Sequence, residues 1–186
     1  MLKHFIWITI ILFSGFLQAK ETPPFYQIDL IVFTHQQNFD SPEELSLSST
    51  LSSKNAHSNQ LKTAISKEIS PYHLLPPSFS QLRQEYWALH RKPEYRVLFH
   101  YTWLQPHNSQ QPLILPTILR EGWQVEGSLR IRKSNYYLLD TELLFSPSTS
   151  NQSPFVFSQK QRLKGGEIYY LDHPQAGMLI KVHQLA

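Results

Sequence analysis

Six basic residues fall at alternating positions of three short segments: Arg96; Arg130 and Arg132; and Lys160, Arg162 and Lys164. Residues two apart in an extended strand point to the same face. If these segments share a sheet, the six cations gather on one side, with Asp140 and Glu142 among them. Such a face can take carboxylates through charge-assisted hydrogen bonds. Trp123, just ahead of the second segment, is the candidate ring for stacking against a sugar. Trp103 and Trp87 are assigned instead to the core or to helix–sheet packing. The bland alternative is an ordinary solvated face laced with ion pairs, and both readings stay open at this level.

Other chemistries find little support. The chain has nine His, yet no pair shows helical i,i+4 spacing around a Glu, and none joins a short His/Asp cluster, so neither a metal nor a cofactor is expected. The absence of Cys excludes disulfides, thiolate metal sites and a thiol nucleophile. No Gly-x-Ser-x-Gly elbow or Ser-x-x-Lys helix is present. Gly165-Gly166 reads as a bulge or turn, not a phosphate loop. Glu167, Asp172 and His173 are the acid–base groups a hydrolase would draw on, but two acids flanking a turn do not define a glycosidase site. A net charge of +3 is too mild to make nucleic acid the default partner.

These residues must be positioned by strands. Residues 26–34 are apolar on both faces except for Gln27 and Asp29, as a strand covered on both sides would be. From residue 95 the period is two, with Tyr95, Val97, Phe99, Tyr101 and Trp103 on one face and Arg96, Leu98, His100 and Thr102 on the other. Residues 113–119 form a short apolar strand that Pro116 should bulge or confine to an edge. Gly127, Leu129 and Ile131 alternate with Ser128, Arg130 and Arg132, and residues 137–145 alternate in turn. Pairing Ile131 with Tyr137 leaves Lys133-Ser134-Asn135 as a three-residue loop ending on a left-handed Asn. Residues 155–164 make a further strand. Asp172, His173, Pro174 and Gly177 then mark the turn of a closing hairpin.

One helix stands out, over residues 78–91. Ser78 and Gln81 form a capping box, and Phe79, Leu82, Tyr86 and Leu89 share a stripe that should lie on the sheet. The sum is an α+β fold: a mostly antiparallel, twisted β-sheet of about six to eight strands with one main helix packed on it. Residues 41–70 hold nine Ser and no lasting periodicity, so a flexible loop is expected there, with a short helix around residues 59–69.

The N-terminus carries Lys3, an apolar run from Phe5 to Leu17 and Ala19, the order of a secretory signal peptide cleaved after Ala19. The run is too short to span a membrane comfortably, although an uncleaved anchor is the alternative. Of 17 Lys and Arg only Lys3 is lost, which leaves 16 against 14 Asp and Glu. The expected organisation is a signal peptide at 1–19 and one domain at 20–186, in the periplasm and off the membrane once cleaved.

Four segments, in order, resemble the CsiV family of periplasmic peptidoglycan-binding proteins of Gram-negative bacteria. They are Tyr26-Gln27-Ile28-Asp29-Leu30-Ile31-Val32-Phe33 with His35, and Tyr95-Arg96-Val97-Leu98-Phe99-His100 followed by Trp103-Leu104-Gln105-Pro106. The third is the hairpin at 127–143, and the last runs from Gln161-Arg162-Leu163-Lys164 into Gly166-Glu167-Ile168-Tyr169-Tyr170-Leu171-Asp172-His173-Pro174 and Gly177-Met178-Leu179-Ile180. Gly165-Gly166 departs from the basic-Ser-Gly run expected there. The resemblance implies a non-enzymatic accessory factor of cell-wall synthesis that binds peptidoglycan. It also implies partnership with a class A penicillin-binding synthase or the outer-membrane lipoprotein activator of that enzyme. It carries over no binding residues. A periplasmic hydrolase and a protein-only assembly factor are the alternatives.

Overall fold

The computed structural model describes residues 25–36, 58–63, 70–149 and 152–185. The expected signal peptide at 1–19 and most of the Ser-rich stretch lie outside the described residues. The elements run β1 (Phe25–His35), β2 (Asn59–Gln60), α1 (Arg83–His90), β3 (Tyr95–Pro106), β4 (Leu113–Arg120), β5 (Trp123–Lys133), β6 (Tyr137–Pro147), β7 (Phe155–Leu163), β8 (Ile168–His173) and β9 (Ala176–Gln184). The fold is α+β and mostly antiparallel. The strands form two sheets where the sequence pointed to one. The first has order β3-β1-β9-β8 and the second β2-β4-β5-β6-β7.

The apolar faces explain the pairing. Tyr26, Ile28, Leu30 and Val32 of β1 and Met178, Ile180 and Val182 of β9 join one buried cluster with Leu129, Ile131, Leu143, Phe145 and Phe157 of the second sheet. The other face of β1 carries Ile31 and Phe33 into a separate cluster with Leu82 and Val97, against which Tyr86 and Leu89 of α1 pack. Strand β1 is therefore covered on both sides, as its composition requires. Tyr26 ties the two sheets together: its hydroxyl donates to the Ile131 carbonyl at 3.1 Å and accepts from Gln105 at 2.7 Å. Burial raises the pKa of that phenol, which keeps it a neutral donor.

Strand β3 departs from simple alternation. The β1–β3 register slips between Val32 and Phe33, so that Val32 faces Phe99 while Phe33 faces Val97. The extra residue, Leu98, is a β-bulge. It turns Tyr95 and Val97 toward the helix and Phe99, Tyr101 and Trp103 toward the second sheet, so the five do not share one face. Strand β4 carries the irregularity its proline called for, between Leu115 and Ile118. The β5–β6 hairpin keeps the expected faces in a different register. Ile131 faces Leu139 and Lys133 faces Tyr137, leaving Ser134, Asn135 and Tyr136 as the loop. Asn135 is not among the positive-φ residues.

The helix is shorter than its periodicity implied. Ser78 falls in a 3-10 turn (Pro77–Phe79), and Leu82 is the N-cap, with no side-chain cap bond. Ser80 does nearby what Ser78 was expected to do, its Oγ accepting from the Leu82 amide at 3.1 Å. Phe79 and Trp87 are exposed, so Trp87 does not pack on the sheet. Asn59 and Gln60 pair with Leu113 and Ile114 as a parallel strand, and Leu61 is buried in the core, so the short helix expected around residues 59–69 does not begin at Asn59, and residues 64–69 lie outside the described residues.

Gly127 is required by geometry. Its φ is +149°, and a Cβ there would overlap the Glu142 carbonyl oxygen on β6. Trp103 is fully buried in the main cluster. We expect Trp103→Ala to cost about 3–5 kcal/mol of unfolding free energy in a denaturant titration. A loss below about 1 kcal/mol would place that ring outside the core.

Candidate functional site

Four of the six sequence-selected cations come together. On the outer face of β5–β6–β7, Arg130, Asp140 and Lys160 lie in one cross-strand row, and Arg132, Leu138 and Arg162 lie in the next. These residues line an open hollow of about 290 Å³. Their inward neighbours Leu129, Ile131, Leu139 and Leu163 are buried, which forces the charged alternates outward. Arg130 donates to the Asp140 carboxylate at 2.6 Å, both side chains being about one-third exposed. Lys160 and Arg162 are exposed and enter no ion pair among the described residues. Four cations around one carboxylate and a half-buried Leu138 make a surface for an anionic group with an apolar neighbour.

The other expected members lie elsewhere. Arg96 belongs to the first sheet and donates to the Pro93 carbonyl at 3.1 Å. Lys164 follows the end of β7 and pairs with Glu167 at 2.8 Å, both side chains well exposed. Trp123 cannot serve as a stacking ring. It is 7 % exposed and meets Phe145 and Phe155 edge-on inside the core. As the first residue of β5 it shares the inward parity of Val125, which position before a polar strand does not reveal.

The closing hairpin is tighter than its motif suggested. Asp172 faces Gly177 and His173 faces Ala176, so only Pro174 and Gln175 form the turn. The turn docks on the end of β1, where the His35 amide donates to the Gln175 carbonyl at 3.0 Å. His173 stacks on Phe155 with centroids 4.6 Å apart, and its Nδ1 accepts from the Gln175 amide at 3.2 Å. Asp172 accepts a short hydrogen bond from the Tyr170 hydroxyl. Glu167 lies just before β8 and Asp172 near its far end, a separation of roughly 16 Å along an extended strand. That exceeds the reach of paired glycosidase carboxylates. The hydrogen bond and charge of Lys164 lower the Glu167 pKa, the opposite of what a general acid needs.

Sequence reasoning missed a polar cluster beneath the entry to α1. Asp29 is fully buried, accepting from Thr102 Oγ1 at 2.6 Å and from Gln27 Nε2 at 3.2 Å. His100 Nε2 lies 2.7 Å from Ser80 Oγ, and His183 Nε2 lies 2.8 Å from Gln81 Nε2. His183 Nδ1 is 3.8 Å from the Asp29 carboxylate. Burial lowers the pKa of both imidazoles, against the pull of Asp29. Ser80 and His100 touch like a nucleophile and base, but Ser80 is buried and its oxygen already caps Leu82. The cluster fastens the helix entry to the sheet. The lone Asp in an otherwise apolar β1 was its sequence signal.

The family described as peptidoglycan-binding protein, CsiV, matches residues 5–185. The chain belongs to that family, which makes peptidoglycan its ligand and implies a place outside the cytoplasm. No curated protein and no solved structure matches.

A Cβ at Gly177 would collide with the Phe33 ring and approach Tyr170 Cε2 to 2.9 Å. Gly177→Val should therefore destabilise through side-chain overlap, by about 1–3 kcal/mol in chemical denaturation. Because Gly177 lacks a positive φ, the strain does not come from the backbone; pairing the substitution with Phe33→Leu should recover part of the loss, and no recovery would return the cause to the backbone. His100 and His183 titrate lower in the folded chain than the unfolded value of about 6.5. The unfolded chain then binds more protons as pH falls, so stability is full above about pH 6.5 and declines below it. Melting temperatures from neutral to mildly acidic pH should show that decline, and His183→Gln should flatten it.

Proposed function

We propose that this protein is a non-catalytic periplasmic accessory factor that holds peptidoglycan on the outer face of β5–β7 and so supports wall synthesis. Export by the N-terminal segment and partnership with a class A penicillin-binding synthase, or with its lipoprotein activator, belong to the same proposal. The observation that carries it is the convergence of Arg130, Arg132, Lys160 and Arg162 around Leu138. Peptidoglycan stems end in carboxylates beside short alkyl side chains. Guanidinium forks bind the first bidentately, and the exposed part of Leu138 meets the second.

The support for a binding role is geometric. Lys160 and Arg162 have donors to spare, while the candidate acids and the serine are engaged in structural contacts. A hydrolase would need Glu167, Asp172 and His173 to converge, but Glu167 precedes β8 while Asp172 and His173 sit at its far end. The flanking cations also account for specificity toward an anionic polymer, since loss of one charge leaves neighbours to repel a cationic competitor.

Co-sedimentation with purified sacculi tests this reading. Arg132→Ala combined with Arg162→Ala should weaken retention by about tenfold while stability stays within about 0.5 kcal/mol of the parent. Retention should also fall as salt rises. Unchanged retention in the double variant would remove the hollow from the mechanism, and a parent chain that does not sediment with sacculi would remove the function.

A further inference from the structure

The outer face of the first sheet is only partly covered. Helix α1 sits over β3 and the apolar residues Ile31, Phe33 and Val97. Toward the other edge, β8 turns Leu171 into the main core, which leaves Ile168, Tyr170 and Asp172 on the open side. Ile168 is 41 % exposed and Tyr170 is 53 % exposed. Ile168 and Tyr170 lie two residues apart on one face of this edge strand, so their exposed surfaces adjoin.

The Tyr170 ring is held rather than loose. Its hydroxyl donates to the Asp172 carboxylate on the same face of the strand. Its plane lies within 11° of the buried Phe33 ring at a centroid distance of 6.2 Å. Both rings crowd the space where Gly177 has no side chain. The missing Cβ leaves room for the Tyr170 ring edge over Gly177, and about half of the residue stays open to solvent. An immobilised aromatic face has little rotamer entropy left to lose on binding. Asp172 is exposed and keeps acceptor capacity beyond the bond from Tyr170.

We infer that Tyr170, with Asp172 and Ile168 beside it, is a stacking subsite for an uncharged pyranose of a glycan strand. The chemistry favours a neutral sugar. An aromatic face takes the apolar C–H face of a sugar ring, and the carboxylate accepts from sugar hydroxyls while repelling anionic groups. This subsite rests on the wall-binding reading but uses the opposite outer face from the cationic hollow. It assigns the glycan to the first sheet and the acidic stems to the second.

The probe is a short β-1,4-linked oligomer of N-acetylglucosamine, which carries no stem peptide and no charge. Calorimetric or NMR titration of the full chain should detect binding. Tyr170→Ala should weaken it by about tenfold, and Tyr170→Phe, which keeps the ring but frees it from Asp172, should fall between. Arg132→Ala with Arg162→Ala should leave oligomer affinity unchanged. Absence of binding by the parent, or a Tyr170→Ala variant that binds as the parent does, would overturn the subsite. So would a Tyr170→Ala variant that loses only a crosslinked protein partner. Co-sedimentation separates the two ideas: a parent chain retained by sacculi that does not bind the oligomer would refute this subsite alone, while a parent chain that is not retained by sacculi would refute the wall-binding reading itself.

Discussion

Burial of β1 on both faces constrains everything built around it. One face supplies Tyr26, Ile28, Leu30 and Val32 to the core between the sheets, and the other supplies Ile31 and Phe33 to the helix side. A strand so placed has to be central, and it is, paired with β3 on one side and β9 on the other. Its single charge, Asp29, is tolerable only because Thr102 and Gln27 satisfy the carboxylate. The same polar knot reaches Ser80 and Gln81, so the position of α1 follows from a residue in the middle of β1.

The Leu98 bulge solves a related problem. Strand β3 runs beside β1 along its whole length and must feed two different cores. With strict alternation, Val97 and Trp103 would share a face. One extra residue lets Val97 meet Phe33 and lets Trp103 fill the space between the sheets. Tyr26, Gln105 and the Ile131 carbonyl then pin one sheet against the other with buried hydrogen bonds, which specify relative position in a way that apolar contact alone does not.

What could be read in the sequence was set by periodicity. The doubly apolar β1, the alternation of β5 and β6 and the irregular β4 were legible because each follows from side-chain direction within one element. The hollow was legible in part, since Arg130, Arg132, Lys160 and Arg162 sit on alternates of neighbouring strands. Arg96 was misplaced because alternation says nothing about which sheet a strand joins. Trp123 was misjudged because it begins a strand, where inward parity is visible only once pairing with Pro147 is known. The β5–β6 register was two residues off, since such a shift preserves every face and only the turn tells the registers apart. The setting of Tyr170 was not legible for another reason: it depends on Phe33, far away in the chain, and on the side chain Gly177 does not have.

The two sheets also separate the molecule's chemistry by side. Leu171 and Ile131 point toward each other's sheets, so Tyr170 and Arg132 face away from one another across the sandwich. A flat layer can engage only one of these surfaces at a time. A chain built this way would act as a shim between adjacent strands of a mesh, gripping sugar on one side and peptide on the other. The spacing it imposes would be set by the thickness of its own core.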